Sequence, residues 1–217
     1  MYANWPDLFR TALLETLEMV GIAGAIAFLA GLPMGLVLVC TAADGIAPHP
    51  AINRVLGAVV NAFRAVPFIV LMVALIPFTR LVAGTSIGTE AAIVPLAIGA
   101  TPYYARIAEV SLREVDHGLI EAVKAMGGGR WTIVSEVLVP EALPSLLSGF
   151  TVTLVTMIGA SAMAGAVGGG GLGDLAIRYG YQRFNTGIMV GVIIVLIVLV
   201  SIVQLGGDRL ARLFDHR

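Results

Sequence analysis

Few residues in this chain could do chemistry, and their surroundings exclude the familiar reactions. The only lysine, Lys124, lies between Val123 and Ala125. Phosphate capture by a P-loop needs glycine before that lysine and Ser or Thr after it, so the chain carries no such nucleotide site. His49, His117 and His216 all fall in polar stretches, and none belongs to the His-Glu-x-x-His pattern of a catalytic zinc. Gly168, Gly170 and Gly173 have the spacing of a dinucleotide loop, but they follow a long apolar stretch of helical character, not a strand, and the match fails on context. Cys40 is the single cysteine, so no disulfide can close within one chain. No catalytic residue, metal site or cofactor is expected, and an intrinsic enzyme is the weakest reading.

The one polar-containing interval with an ordered pattern is Glu121–Pro144, EAVKAMGGGRWTIVSEVLVPEALP. Leu119, Val123 and Met126 recur at helical spacing, with Glu121 and Lys124 placed to pair on another face. Gly127 is suited to end that helix, because glycine accepts the left-handed conformation that follows a helix terminus. Gly128 and Gly129 lengthen the break. A second helix is predicted over Trp131–Val139, with Ile133, Val134, Val137 and Leu138 on one side and Ser135 and Glu136 on the other. Pro140 and Pro144 are then expected to turn the chain. Two readings stand for this hairpin: an amphipathic element resting on a membrane surface, or a plug for another protein.

The elements that must position it are membrane helices. Of the 217 residues 58% are hydrophobic and 12% charged, half the charge of a typical soluble domain, and the mean hydropathy is +0.95. The net charge of −1 offers nothing to nucleic acid. The Met1–Phe9 start lacks a basic region and carries Asp7, so the first apolar stretch is expected to stay as a membrane helix. A spanning helix needs about 20 apolar residues. Five spans are predicted, near 11–42, 55–82, 91–108, 146–167 and 186–205, as a single all-α transmembrane domain with the hairpin at 119–144 between the third and fourth. Glu15 and Glu18 are read as interfacial, and Arg64 and Arg80 as snorkelling to headgroups. Pro67, Pro95 and Pro102 are expected to break their helices, either as simple kinks or as borders of a transport path. The fourth span ends in small residues around Met163, which is either a packing side chain or a soft gate. Pro67, Ser161 and Met163 are the candidate path-lining residues.

An odd number of spans puts the termini on opposite sides. With the C-terminus inside, inner segments hold Arg54, Arg64, Arg106, Arg113, Lys124, Arg130, Arg209, Arg212 and Arg217, against Arg10, Arg80, Arg178 and Arg183 outside. That excess predicts the N-terminus out, the C-terminus in and the hairpin in the cytoplasm.

The hairpin's spelling resembles the signature of bacterial ABC importer permeases: Glu-Ala-Ala, three residues, Gly, nine residues, Ile, one residue, Leu-Pro. Here Glu121-Ala122-Val123 precedes Gly127 by the family's spacing, and Val137-Leu138-Val139-Pro140 closes the pattern. Gly129-Arg130-Trp131 stands where the family often has Ser/Thr-Pro. The resemblance implies the type I importer fold. It also implies that Glu121, Ala122 and Gly127 form a docking loop for an ATP-hydrolysing subunit. Arg130–Val139 would be the coupling helix, with Arg130, Ile133, Val137, Leu138 and Pro140 among its docking positions. Phe63–Phe68, Ile76–Arg80, Gly84–Gly88, Ala91–Leu96 and Ser161–Val167 look further like the methionine-import permeases. That family implies a homodimer with one pore, two ATPase subunits that use ATP and magnesium, an extracytoplasmic methionine-binding lipoprotein, and a bacterial inner-membrane location.

A zwitterion crosses hydrocarbon only at high cost, because burying unpaired charge is expensive. A wet cavity opened alternately to each side removes that cost. The fourth and fifth spans hold no charged residue to grip a cargo, which fits a weakly binding path loaded by a separate protein. A permease for another small nutrient would share the docking motif. An ion-coupled transporter would ordinarily carry intramembrane carboxylates, and none lies well inside a predicted span. A non-transporting membrane adaptor has in its favour only the lack of a substrate site.

Overall fold

The computed structural model describes residues 5–215, and every regular element among them is helical. The expectations resting on Met1–Asn4, His216 and Arg217 lie outside the described residues.

Helix α1 covers Trp5–Cys40, 36 residues. At 1.5 Å per residue it is about 54 Å long, well beyond the ~30 Å of a hydrocarbon core. It starts before the apolar run does, with Asp7 in its first turn, where a carboxylate meets the positive end of the helix dipole. The Asn53 side chain donates to the Leu38 carbonyl at 2.7 Å and pins the next helix, α2 (Pro50–Ala65), to the end of α1.

The predicted second span is not one helix. It comprises α2, α3 (Phe68–Ala74) and α4 (Ile76–Ala83), and α2 meets α3 at 103°. Pro67 accounts for the bend: a residue before proline is driven from helical to extended backbone, and Val66 sits at φ −82°, ψ 126°.

The third predicted span differs in the other direction. Helix α5 runs unbroken through Pro95 and Pro102 from Thr89 to Arg113. Both prolines are buried, and packing against α1 holds the helix together. Contact is close because Gly31 and Gly35 lack side chains. A Cβ at Gly35 would lie 2.8 Å from Ala108 Cβ, and one at Gly31 2.9 Å from the Thr101 carbonyl. Three buried or half-buried aromatic rings, Phe28, Tyr104 and Phe150, then tie α1 and α5 to α8 (Val139–Ala166), with centroids 5.0–5.6 Å apart. The Tyr104 hydroxyl donates to the Leu146 carbonyl at 3.3 Å.

The expected turn at Pro140 is absent. Helix α6 (His117–Ala125) leads through the glycine break to α7 (Arg130–Ile133), a π-helical turn at Val134–Leu138, and α8 (Val139–Ala166). From Arg130 to Ala166 these make one continuous helix of 37 residues. Pro140 falls in the first turn after the π-turn, and such local widening accommodates a proline that would otherwise break a membrane helix. The coupling segment and the fourth span are therefore one rod.

Beyond Gly170, the stretch between the fourth and fifth predicted spans is mostly helical. Helix α9 (Gly171–Leu175) passes into a π-helical turn at Ala176–Tyr181, supported by the Arg178–Asp174 ion pair at 2.9 Å, before α10 (Thr186–Leu213).

Three of these units are long and apolar enough to cross a membrane: α1, the 130–166 rod and α10. The bent α2–α3 pair makes a fourth. Helix α5 has the length, but Arg106, Glu109 and Arg113 occupy its last turns, and protein covers much of its surface.

Candidate functional site

The hairpin is built as its residue pattern requires. Asp116 caps α6, its carboxylate accepting from the Gly118 N–H at 2.8 Å. Gly127 closes α6 at φ 81°, where the Gly128 N–H donates to the Val123 carbonyl at 2.9 Å and the Gly127 N–H to that of Lys124 at 3.0 Å. That pair of bonds is the Schellman closure of a helix end. Glu121 and Lys124 do not pair, contrary to expectation.

Ile133, Val137 and Leu138 are buried with Ile120 against Leu112 and Val115, so the hairpin shares a core with the end of α5. The opposite surface is left open. Glu121, Ala122, Gly127, Arg130 and Pro140 are exposed, and between them Met126 and Trp131 each present 79% of their surface. Sequence reasoning placed Met126 on the apolar face and passed over Trp131.

Glu109 was also missed. Only 2% exposed, it bridges Arg106 at 2.7 Å and Arg113 at 2.8 Å and stiffens the last turns of α5 where the hairpin attaches. One carboxylate between two guanidinium groups leaves a net positive charge, and Arg106 faces the cavity described next.

A cleft runs between α5, α8 and the α2–α4 segment. Three separate cavities of increasing volume follow one another along it, and the larger two meet at Arg64. The smallest, about 90 Å³, lies among Met72, Ser86, Ala92, Ala164 and Val167. The middle one, about 140 Å³, is bounded by Arg64, Phe68, Tyr103, Thr156, Met157 and Ala160. The largest, about 780 Å³, opens among Arg64, Arg106, Glu114, Ser148, Asp208 and Arg212. The order is the same along both long helices: α5 passes from the small cavity at Ala92 to the large one at Arg106, and antiparallel α8 passes from Ser148 back to Ala164. Arg64, expected to snorkel to headgroups, is exposed and lines both the middle and the large cavity.

The structure does not gather the three nominated path residues. Pro67 is exposed at the α2–α3 bend, between Val66 and Phe68 of the middle cavity. Ser161 is 2% exposed and donates to the Ile158 carbonyl of its own helix at 2.8 Å, so its hydroxyl does not open to the cleft. Met163 is 51% exposed, on a face of α8 shared with Val152, Thr156, Gly159 and Val167. The unnominated lining residues Tyr103 and Thr156 carry no sequence signal beyond polarity inside apolar stretches.

Helices of membrane-crossing length around a tapering cleft, with an amphipathic hairpin at its wide end, define the membrane subunit of a transport system. The binding-protein-dependent transport system inner membrane component family matches residues 27–217, and the chain belongs to it. It is 55% identical to a probable D-methionine transport system permease protein of Vibrio cholerae, over 97% of this chain and 94% of that one. It is 46% identical to a methionine import system permease protein of Bacillus subtilis, over 78% and 76%. Its structure superposes on a chain of a methionine ABC transporter in an inward-facing conformation with a TM-score of 0.96 at 45% identity, covering all of both chains. An amino acid ABC transporter solved with histidines shares the fold, with a TM-score of 0.73 at 23% identity.

Proposed function

We propose that this chain is the permease subunit of an ATP-driven methionine importer of a bacterial inner membrane. Two copies form the pore, two ATPase subunits that use ATP and magnesium dock beneath them, and an extracytoplasmic lipoprotein delivers methionine, in its L form and also its D form. The observation that supports this furthest is the likeness to the methionine transporter chain over the full length of both. The names of relatives from Vibrio cholerae and Bacillus subtilis point to the same cargo.

In this reading the hairpin docks on the ATPase. Glu121, Ala122, Gly127, Arg130 and Pro140 are available on its surface, while Ile133, Val137 and Leu138 carry displacement into α5 and α8. Because Arg130–Ala166 is one rod, movement at the docking end reaches Met163 without an intervening hinge. The wide end of the cleft carries Arg64, Arg106 and Arg212, all among the residues that the positive-inside rule assigns to the cytoplasm. That arrangement favours an N-out, C-in topology with the cleft open inward. Pro67 and Met163 border the path. Nucleotide moves the pore only through its different affinity for the inward and outward forms.

The test is co-expression with the neighbouring ATPase and binding protein, then labelled-methionine uptake into vesicles, with Gly127→Arg in parallel. A two-plus-two complex that takes up methionine on ATP, and that the arginine dissociates while the permease stays folded, is the expected result. A permease that purifies without an ATPase and moves solute along an ion gradient would overturn it.

A further inference from the structure

We infer that Arg64 and the middle cavity form a transient binding site for a free amino acid, with the guanidinium taking the cargo's carboxylate; this rests on the importer reading above. Arg64 lies where the 140 Å³ cavity meets the 780 Å³ one, and among the described residues no other charged side chain lines the smaller of the two. Among the described residues it makes no hydrogen bond or ion pair, unlike Arg106 and Arg113, which are held by Glu109. Its donors are therefore open to a carboxylate, which a guanidinium can grip through two parallel hydrogen bonds.

The rest of the cavity suits the other parts of such a molecule. The Thr156 hydroxyl donates to the Val152 carbonyl at 2.9 Å, leaving its oxygen lone pairs to accept from an ammonium. Phe68, Tyr103 and Met157 supply aromatic and thioether surface for a polarisable apolar side chain. The volume admits one small molecule and excludes a peptide. A single exposed cation gives weak, reversible binding, as a pathway needs: the carboxylate passes from the narrow cavity to the wide one while it stays on the same guanidinium.

The test uses the whole complex in vesicles and reads methionine moved per ATP hydrolysed for wild type, Arg64→Gln and Arg64→Lys. It is run in purely zwitterionic phosphatidylcholine and again with anionic lipid added. The Gln variant is expected to lose about tenfold or more in both lipids, with Lys, which keeps the charge but not the paired hydrogen bonds, falling between Gln and wild type. A Gln variant equal to wild type overturns the inference. So does a defect seen only with anionic lipid, since Arg64 would then be serving a headgroup phosphate. If Arg64→Gln does not assemble, Thr156→Val decides in the same assay: a loss in methionine per ATP supports the site, and wild-type behaviour overturns it. A wild-type complex that hydrolyses ATP but takes up no methionine overturns the cargo reading itself, and is distinct from failure of the variants alone.

Discussion

Glu15 and Gly171, 156 positions apart, are joined by a hydrogen bond of 2.6 Å from the Gly171 N–H to the Glu15 carboxylate. On the next residue of α1, the Thr16 hydroxyl accepts from the Leu172 N–H at 2.9 Å. A glutamate read as interfacial is thus half-buried, and with Thr16 it clamps the glycine turn between α8 and α9 to the first helix. Three further observations mark the turn as tightly held: the Gly88 N–H donates to the Gly168 carbonyl at 2.8 Å, Gly170 adopts φ 79°, and a Cβ there would meet the Glu15 carboxylate at 2.9 Å.

Glu15→Ala should therefore lower the stability of the permease by about 1.5–3 kcal/mol, the worth of a hydrogen bond to a charged group. Glu15→Gln keeps an acceptor and should cost less. Thermal unfolding of the detergent-solubilised complex measures both, and an alanine variant that melts with wild type would show that the clamp contributes nothing.

Two glycines of the hairpin should behave oppositely. Gly127 needs φ 81°, which costs an L-residue roughly 1–2 kcal/mol, whereas Gly129 at φ −77° does not. Both positions have open space where a Cβ would go, so sterics cannot separate them. Gly127→Ala should weaken ATPase co-purification and Gly129→Ala should leave it intact. Equal yields of complex would argue that the end of α6 does not set the hairpin's shape.

Trp131 contributes little to the permease's own packing. Replacing it with alanine should leave unfolding of the free permease unchanged and weaken ATPase binding by about thirtyfold, as removal of an aromatic hot spot does. Titration of purified ATPase against the detergent-solubilised chain reads this directly, and undiminished affinity would place the docking surface elsewhere.

The α1–α5 contact predicts a third contrast. Gly35→Leu forces backbone apart at a site where a Cβ already lies 2.9 Å from the Ala105 carbonyl, while Gly21 has nothing within 4 Å. The first substitution should abolish recovery of monodisperse permease, and Gly21→Ala should be tolerated. Size-exclusion profiles after extraction distinguish them.

Sequence alone determined the class of molecule. Apolar runs of spanning length, the short polar hairpin and the absence of a P-loop lysine point to a membrane subunit driven by another protein, and Glu121, Gly127 and Pro140 keep the family's spacing. These properties are local: hydropathy sums along the chain, and a helix-ending glycine acts on its own turn. What the tertiary structure decided depends on which surfaces meet. Pro67 bends its helix by 103°, whereas Pro95, Pro102 and Pro140 stay within or at the start of theirs, because packing and a π-turn absorb their missing amide donors. Glu15 and Glu109 look alike as carboxylates near helix ends, yet one holds a glycine turn and the other two arginines. Ser161 turned inward and Arg64 turned into the cleft because a side chain's direction follows from the rotation of its helix against neighbours far away in sequence. No pattern read along a single helix supplies that rotation.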